Sequence, residues 1–259
     1  MKISSWNVNS LNVRLPQVLQ WLASEQPDVL ALQETKLSDD KFPATEIEAA
    51  GYRVAYAGQK TYNGVALLSK KPLEDVITDI PGLDDEQRRI LGATIDGVRV
   101  LNLYVVNGQE VGSDKYAYKL DWLARVHDYL QSDLKDHSDY VVLGDFNIAP
   151  DDADVYDPEA WRERILCSTL ERKALQRMVD LGLRDSFRLF EQEEKIFSWW
   201  DYRQNAFKRN MGLRIDLILA SEAMARRCRR SAVDRVPRGW ERPSDHAPVM
   251  AEFTDIQSV

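Results

Sequence analysis

The chain has 259 residues, of which 44% are hydrophobic and 29% are charged, the balance of a globular protein with a sizeable core. No apolar run approaches the length of a transmembrane helix, and the N-terminal residues enter a strand-like pattern without the apolar core of a signal peptide. These features argue against a membrane partner and predict a cytoplasmic protein. The two cysteines, Cys167 and Cys228, lie far apart, so we expect any metal to be held by oxygen ligands.

The net charge of −8 argues against a polyanionic partner, but this charge is unevenly distributed. Residues 200–242 include eleven basic and five acidic side chains, so the segment carries +6 and the remainder of the chain −14. Such a segment permits a local footprint for phosphate groups on an otherwise acidic molecule. A solvated basic face is the alternative, and charge alone does not distinguish the two.

Alternating and helical hydrophobic patterns predict about ten strands with helices among them. In chain order, the predicted elements are a strand at 2–8, a helix at 15–24, a strand at 29–32, a short helix at 44–50, strands at 52–57, 64–69, 73–79, 89–95 and 98–106, a helix at 115–134, a strand at 140–143, a helix at 169–181, and strands at 214–220 and 247–253. The pattern predicts a single domain over residues 1–259, in which two sheets pack face to face and helices cover both.

The most informative stretch is the strand just past the middle of the chain and the residues that follow it. The strand stops at Gly144 and is followed by Asp145 and Asn147, which alternation along an extended chain places on the same side. A carboxylate beside an amide suits the activation of a water molecule next to an oxyanion. Aspartate and asparagine are also common in turns, and the stretch alone fits this alternative equally well.

Other polar residues follow strands or interrupt apolar runs. Glu34 comes directly after the strand at 29–32, where a carboxylate can hold Mg²⁺ or Mn²⁺; a surface acid is the alternative. Asn7 ends the first strand and could orient Glu34. Asp216 lies within an apolar run, so we expect it to be paired, either with Arg214 or with a histidine that it orients.

One of the three histidines has a suggestive setting. His127 and His137 belong to a helix and its polar end, and we expect them to be structural or exposed. His246 lies between Asp245 and the last strand, where a carboxylate could keep it cationic beside a phosphate or let it shuttle a proton. We expect six residues near strand ends to converge on one rim of the sandwich: Asn7, Glu34, Tyr104, Asp145, Asp216 and His246.

Five short strings occur in the order that is typical of one protein family. They are Trp6–Asn9, Leu32–Lys36, Gly144–Asn147, Leu213–Asp216 and Ser244–Pro248, and they span almost the whole chain. With these motifs the chain resembles the exonuclease III family, the class II apurinic/apyrimidinic endonucleases of the endonuclease/exonuclease/phosphatase superfamily. Residues 197–203 and 210–221 look like the bacterial branch of that family.

The resemblance implies an α+β fold of the deoxyribonuclease I type, a four-layer α/β-sandwich of two mostly antiparallel sheets flanked by helices. It also implies a metal-dependent DNA-repair phosphodiesterase that cleaves duplex DNA 5′ to abasic sites and removes nucleotides or blocking groups from 3′ ends. The implied cofactor is Mg²⁺, with Mn²⁺ as its substitute. The implied partner is double-stranded DNA with abasic sites or 3′ ends, bound by a monomer.

The resemblance further implies roles for residues at the metal and the attacking water. Glu34 would be the principal metal ligand, with Asn7 beside it and Asp245 near the metal. Asp145 would position or deprotonate the water, and Asn147 would help to hold the phosphate.

The remaining implied roles concern the phosphate and the DNA. His246, paired with Asp216, would stabilise the charge that develops on the phosphate, which the Tyr104 hydroxyl would also contact. The residues implied in substrate binding are Asn107, Lys36 and Arg203, together with an abasic-sugar pocket formed by Trp199, Trp200, Leu213 and Ile215.

Two other functions stay open on the sequence alone. One is a phosphatase of small phosphorylated lipids or inositols on the same fold, against which the aromatic residues at 197–202 argue. The other is a non-catalytic nucleic-acid-binding regulator, whose catalytic residues we would expect to be lost. The chain departs from the family at three positions. Val106 stands where the family commonly has a proline, Leu213 where some relatives have an aromatic residue, and Asn9 where some relatives have an acidic one. It keeps the four residues whose loss would indicate a regulator: Glu34, Asp145, Asn147 and His246.

Overall fold

The structure is a computed structural model that describes residues 1–83 and 85–255. Its strands are β1 (Lys2–Asn7), β2 (Val29–Gln33), β3 (Arg53–Ala57), β4 (Val65–Ser69), β5 (Glu74–Ile77), β6 (Ile90–Ile95), β7 (Val98–Tyr104), β8 (Tyr140–Asp145), β9 (Leu183–Asp185), β10 (Trp199–Trp200), β11 (Gly212–Leu213), β12 (Asp216–Ser221), β13 (Cys228–Val233) and β14 (Val249–Phe253). Its helices are α1 (Leu11–Glu25), α2 (Ala44–Ala49), α3 (Asp114–Asp136), α4 (Pro158–Trp161), α5 (Thr169–Val179) and α6 (Glu222–Arg227). Among these residues, no helix combines the length and apolar character needed to cross a membrane.

Twelve of the strands form two six-stranded sheets with the same plan. The first has the order β13-β14-β1-β2-β4-β3, and the second has the order β5-β6-β7-β8-β12-β9. Each sheet contains one parallel pair, β1 with β2 and β7 with β8, and its other pairs are antiparallel. The long helices α1 and α3 connect the strands of these parallel pairs, as parallel strands require.

Apolar side chains between and outside the sheets produce four layers. The inner cluster contains residues of both sheets, for example Leu67 of β4 and Val141 of β8. Trp21 of α1 packs on the outer face of the first sheet, and Trp122 of α3 packs on the outer face of the second. The predicted α/β-sandwich of two mostly antiparallel sheets flanked by helices is therefore confirmed.

Several element boundaries differ from the predicted ones for local reasons. Helix α1 begins at Leu11 rather than residue 15, because Leu11 is buried against the first sheet; Pro16 therefore lies inside the helix rather than in its first turn. The strand expected at 214–220 begins only at Asp216, since the N–H groups of Ile215 and Asp216 donate to the Ser198 hydroxyl, each at 3.0 Å. Asp216 consequently begins β12 instead of lying within a strand.

Candidate active site

The two parallel strand pairs bring their carboxyl ends to one rim of the sandwich. On the second sheet, Tyr104 at the end of β7 lies opposite Asp145 at the end of β8, and Asp145 lies opposite Asp216 at the start of β12. Gly144 makes this register possible. It has a φ of +142°, and a Cβ built there would lie 1.9 Å from the Leu103 carbonyl oxygen, so only glycine lets the two strands approach.

Asp145 is held in place by hydrogen bonds from both sheets. Its Oδ1 accepts from the Asn147 N–H at 2.9 Å, a local turn in which Asn147 has a left-handed φ of 47°. Its Oδ2 accepts from the Asn7 amide at 2.9 Å across the two sheets. The Asn147 amide donates to the Val105 carbonyl at 2.9 Å and lies 3.4 Å from Asp145 Oδ2. The turn interpretation of Asp145 and Asn147 is thus correct for the backbone, yet both side chains still face the site.

Glu34 approaches Asp145 from the first sheet. It follows β2 with a left-handed φ of 52°, and its Oε1 accepts a 2.8 Å hydrogen bond from the same Asn7 amide that binds Asp145. Lys36 lies 3.0 Å from Glu34 Oε2. Burial raises the pKa of Glu34, but the Lys36 charge and the Asn7 hydrogen bond outweigh this effect and leave the pKa lowered. Glu34 is therefore a carboxylate at neutral pH.

His246 is buried between two carboxylates. Its Nδ1 lies 2.8 Å from Asp216 Oδ2, and its Nε2 lies 3.7 Å from Asp145 Oδ2. Burial lowers the pKa of His246, but the charges of Asp216 and Asp145 raise it to about 10. Burial, reinforced by the Asp216 charge and opposed by that of His246, raises the pKa of Asp145 to about 7. The site thus has a cationic imidazole beside a carboxyl group that can gain and lose a proton near neutral pH.

Tyr104 completes this rim with a hydroxyl group close to the carboxylates. The Arg89 guanidinium lies 4.6 Å from the centre of its ring and donates to its carbonyl oxygen at 3.3 Å. Burial and the nearby charges of Glu34 and Asp145 hold the pKa of Tyr104 well above its usual value. Tyr104 therefore stays a neutral hydrogen-bond donor. Asn107 adds a second polar group, its amide donating to Asn147 Oδ1 at 3.2 Å.

The carboxylates of this site fit a divalent metal ion. One oxygen or nitrogen each from Glu34, Asp145 and His246 lies within 4.8 Å of the others. Because His246 is cationic and bound to Asp216 through Nδ1, the oxygen atoms of Glu34 and Asp145 are the available ligands. Such hard oxygen ligands suit Mg²⁺ or Mn²⁺ better than softer metals.

Comparisons with known proteins identify the family to which this site belongs. The model of the Endonuclease/Exonuclease/phosphatase family matches residues 4–246. Exodeoxyribonuclease III of Haemophilus influenzae is 38% identical, over 98% of this chain and 100% of that protein. The chain belongs to the exonuclease III family. This confirms the resemblance inferred from the five motifs.

Solved structures of similar proteins extend this result to the fold. The chain is 52% identical to the 3′ phosphatase NExo from Neisseria, whose structure was solved with a product DNA hairpin. The two structures superpose with a TM-score of 0.97, over 98% of this chain and 99% of that one. It is 39% identical to an AP endonuclease from Archaeoglobus fulgidus, with a TM-score of 0.94 and the same shares of the two chains.

Three of the predicted site residues are held by partners other than the carboxylates of the site. Asp245 accepts hydrogen bonds from Asn9 and from the Trp199 indole, each at 3.0 Å, and is not part of the cluster formed by Glu34, Asp145 and His246. Trp200 is fully buried and packs edge-on against Phe207, because neighbouring strand residues point to opposite faces; it does not line a pocket with Trp199. Arg203 is exposed and pairs with Asp201 in its own turn at 2.6 Å.

The remaining predicted residues are ordered around the rim. Lys36 bridges Glu34 and the Asn9 amide oxygen, the latter at 2.6 Å. Leu213 and Ile215 are buried beside Trp199 in one apolar cluster. Of the two partners considered for Asp216, the structure shows His246, at 2.8 Å. Arg214 pairs instead with Asp154 and Asp185, each at 2.7 Å.

Sequence reasoning missed Arg89, Arg14 and Lys119. Arg14 donates to the carbonyl groups of Asn9 and Pro243 and thereby ties the β1 end to the segment before His246. Arg89 precedes an ordinary strand, and Arg14 and Lys119 lie on amphipathic helices, where basic residues are usually exposed. The contacts of Arg14 with Pro243 and of Arg89 with Tyr104 join distant segments, so no local pattern could have revealed them.

Proposed function

We propose that the chain is a metal-dependent DNA-repair phosphodiesterase that cleaves duplex DNA 5′ to abasic sites and removes nucleotides or blocking groups from 3′ ends. The prediction of a DNA-repair phosphodiesterase is confirmed by its family and by the activities named for its relatives. The observation that carries the proposal is the convergence of Glu34, Asp145 and His246 within 4.8 Å, with the Asn7 amide bonded to both carboxylates.

Asp145 is the group that activates the water. With a pKa of about 7, it accepts the proton of a water molecule as the water oxygen attacks phosphorus and the bond from phosphorus to the leaving oxygen breaks. The hydrogen bonds from Asn7 and the Asn147 N–H orient its carboxylate. Because the Asn147 side chain contacts Asp145 only at 3.4 Å, a phosphate oxygen could take over this weaker contact in the complex.

His246 and Tyr104 stabilise the charge that develops on the phosphate. Since Asp216 holds Nδ1, the opposite nitrogen of the cationic His246 ring faces the site and can donate to a phosphate oxygen. The neutral Tyr104 hydroxyl is a second donor. Because the nucleophile in this mechanism is an activated water molecule, no covalent intermediate with the protein is needed.

We propose Mg²⁺ as the cofactor, with Mn²⁺ as a substitute, and Glu34 as its principal ligand. When bound, the ion offsets the charge of the phosphate and of the leaving oxygen. The Asn7 amide, bonded to both Glu34 and Asp145, orients the two carboxylates. Asp245 acts on the metal ligand indirectly. Its carboxylate accepts a hydrogen bond from the Asn9 amide, and the Asn9 amide oxygen accepts one from Lys36, which pairs with Glu34.

We propose that a monomer binds the DNA, and the surroundings of the rim suit this substrate. Trp199 lies against the backbone of His246 and, with the buried Leu213 and Ile215 behind it, forms the wall that we propose for an abasic sugar. An abasic nucleotide costs little to extrude, since it has no base to unstack. A cavity of about 730 Å³ begins at Asn107 and is lined by Arg89, Lys115 and Tyr62, among others, which would contact the adjoining backbone phosphates.

The test compares four substrates in Mg²⁺: a duplex with one abasic-site analogue, an intact duplex, a duplex with a 3′-phosphate, and a small phosphorylated inositol. Incision 5′ to the lesion together with processing of 3′ ends supports the proposal. Processing of 3′ ends alone would retain the mechanism and withdraw the abasic substrate. Hydrolysis of the inositol phosphate alone would favour the small-substrate phosphatase, and DNA binding without any cleavage would favour the regulator.

A further inference from the structure

Lys119 is a fully buried lysine in α3 that the chemistry described above does not use. Lysine normally keeps its ammonium group in water, because burial of a charge is costly unless it is paired. Here Nζ donates to three oxygens: the main-chain carbonyl of Asn147 at 2.7 Å, that of Asn107 at 3.1 Å, and Glu171 Oε1 at 2.5 Å. Each oxygen belongs to a different segment of the chain.

Glu171, also fully buried, extends this connection to a third loop. It lies in the first turn of α5, where Oε2 accepts from the Ser168 N–H at 3.1 Å and Oε1 accepts from the Leu166 N–H at 3.1 Å. The Leu166 carbonyl in turn accepts from the Ala149 N–H at 2.8 Å, two residues after Asn147. The buried pair therefore sits where the loops that carry Asn107 and Asn147 meet the loop before α5.

We propose that Lys119 is a positioning residue of the phosphodiesterase site, which holds Asn147 against Asp145 by fixing the carbonyl groups of Asn107 and Asn147. The proposal rests on the proposed function. Three groups of the Asn147 segment touch the site: its N–H bonds Asp145, its amide lies beside the same carboxylate, and its Oδ1 accepts from Asn107. A displacement of the Asn147 backbone, which Lys119 holds through its carbonyl oxygen, would disturb all three.

A purely structural role for the ion pair is the competing explanation, and two variants separate the two roles. Glu171→Gln removes the carboxylate but leaves the Lys119 amine bonded to both carbonyl groups. The double variant Lys119→Met/Glu171→Gln removes both charges and keeps side chains of similar length, so no unpaired charge is buried. It leaves the carbonyl groups of Asn107 and Asn147 without the ammonium group that donates to them. Loss of one partner of a buried ion pair is strongly destabilising, whereas replacement of both partners is tolerated much better.

The experiment measures the melting temperature, kcat and KM of both variants on whichever DNA substrate the wild type cleaves with Mg²⁺, well below the melting temperatures. We expect Glu171→Gln to melt roughly 10 °C lower than the wild type but to retain its kcat. We expect the double variant to melt higher than Glu171→Gln, with kcat lowered by about tenfold to a hundredfold and KM nearly unchanged, because small displacements of catalytic groups affect the rate more than binding.

The opposite pattern would overturn the proposal. If kcat follows the melting temperature, so that it falls in Glu171→Gln and recovers in the double variant, the pair is a structural element only. If both variants keep the wild-type kcat, Lys119 does not position the site. A wild type that binds DNA but cleaves none of the substrates would instead refute the proposed function, before the variants are compared.

Discussion

Replacing Asp216 with asparagine is expected to lower the pKa of His246. The two side chains are buried and 2.8 Å apart, and the pKa of His246 is about 10 although burial alone would lower it from 6.5. The charges of Asp216 and Asp145 share this effect, with that of Asp216 the larger. Loss of the Asp216 charge should therefore lower the pKa of His246 by about 1–2 units, which corresponds to ~1.4–2.7 kcal/mol.

Nuclear magnetic resonance of the metal-free protein can measure this change directly. The chain has three histidines, so the ring signals are few, and His246→Gln identifies the one concerned. Asp245→Asn is the matched control, because Asp245 binds Asn9 and Trp199 and makes only a minor contribution to the pKa of His246. A wild-type pKa near 6.5, or equal pKa values in the wild type and Asp216→Asn, would refute the reasoning.

The same substitution should change how cleavage depends on pH. The mechanism that we propose needs Asp145 unprotonated and His246 protonated, so kcat/KM should rise through about pH 7 and fall through about pH 10. The Asp216 charge raises both pKa values, so both limbs should move to lower pH in Asp216→Asn, the alkaline limb further. An alkaline limb that stays in place would contradict the role given to Asp216.

Three further substitutions test other parts of the site. Gly144→Ala should lower the free energy of unfolding in urea by about 3 kcal/mol, and Gly112→Ala by about 1 kcal/mol. Both glycines have a positive φ, but only at Gly144 would a Cβ meet a neighbouring backbone. Equal losses of stability would contradict the close approach of the strands. Glu34→Gln should raise the Mg²⁺ concentration for half-maximal cleavage at least tenfold, and more than Asp245→Asn, if Glu34 is the principal ligand; the reverse order would contradict it. Trp199→Ala should slow abasic-site incision about tenfold more than 3′-end processing, measured on matched duplexes, if its indole selects the sugar; equal slowing would remove that role.

Residues near strand ends were the part of the site that the sequence predicted well. The buried strand before Asp145 and the apolar strand before Glu34 both stop where polar residues begin, and parallel strands deliver such ends to one edge of a sheet. The structure brings Asn7, Glu34, Tyr104, Asp145, Asp216 and His246 to one rim, as expected.

What the sequence could not provide depends on contacts between distant segments. Ser198, which lies eighteen residues before Asp216, accepts the backbone N–H groups where β12 begins. His246, the partner of Asp216, lies thirty residues after it. The orientation of Trp200 depends on β10, a strand of two residues, too short for a periodic pattern. Lys119 looks like any exposed lysine of an amphipathic helix until the loops that it holds are known.

The most direct test of the metal-dependent site is incision of an abasic-site duplex by the wild type and Asp145→Asn, in Mg²⁺ and in chelator, with DNA binding measured in parallel. The wild type should incise the strand 5′ to the lesion only with Mg²⁺, and Asp145→Asn should bind the duplex with similar affinity but lose at least a hundredfold in rate. Undiminished cleavage by Asp145→Asn, or wild-type cleavage that persists in chelator, would contradict a metal-dependent site in which Asp145 activates the water.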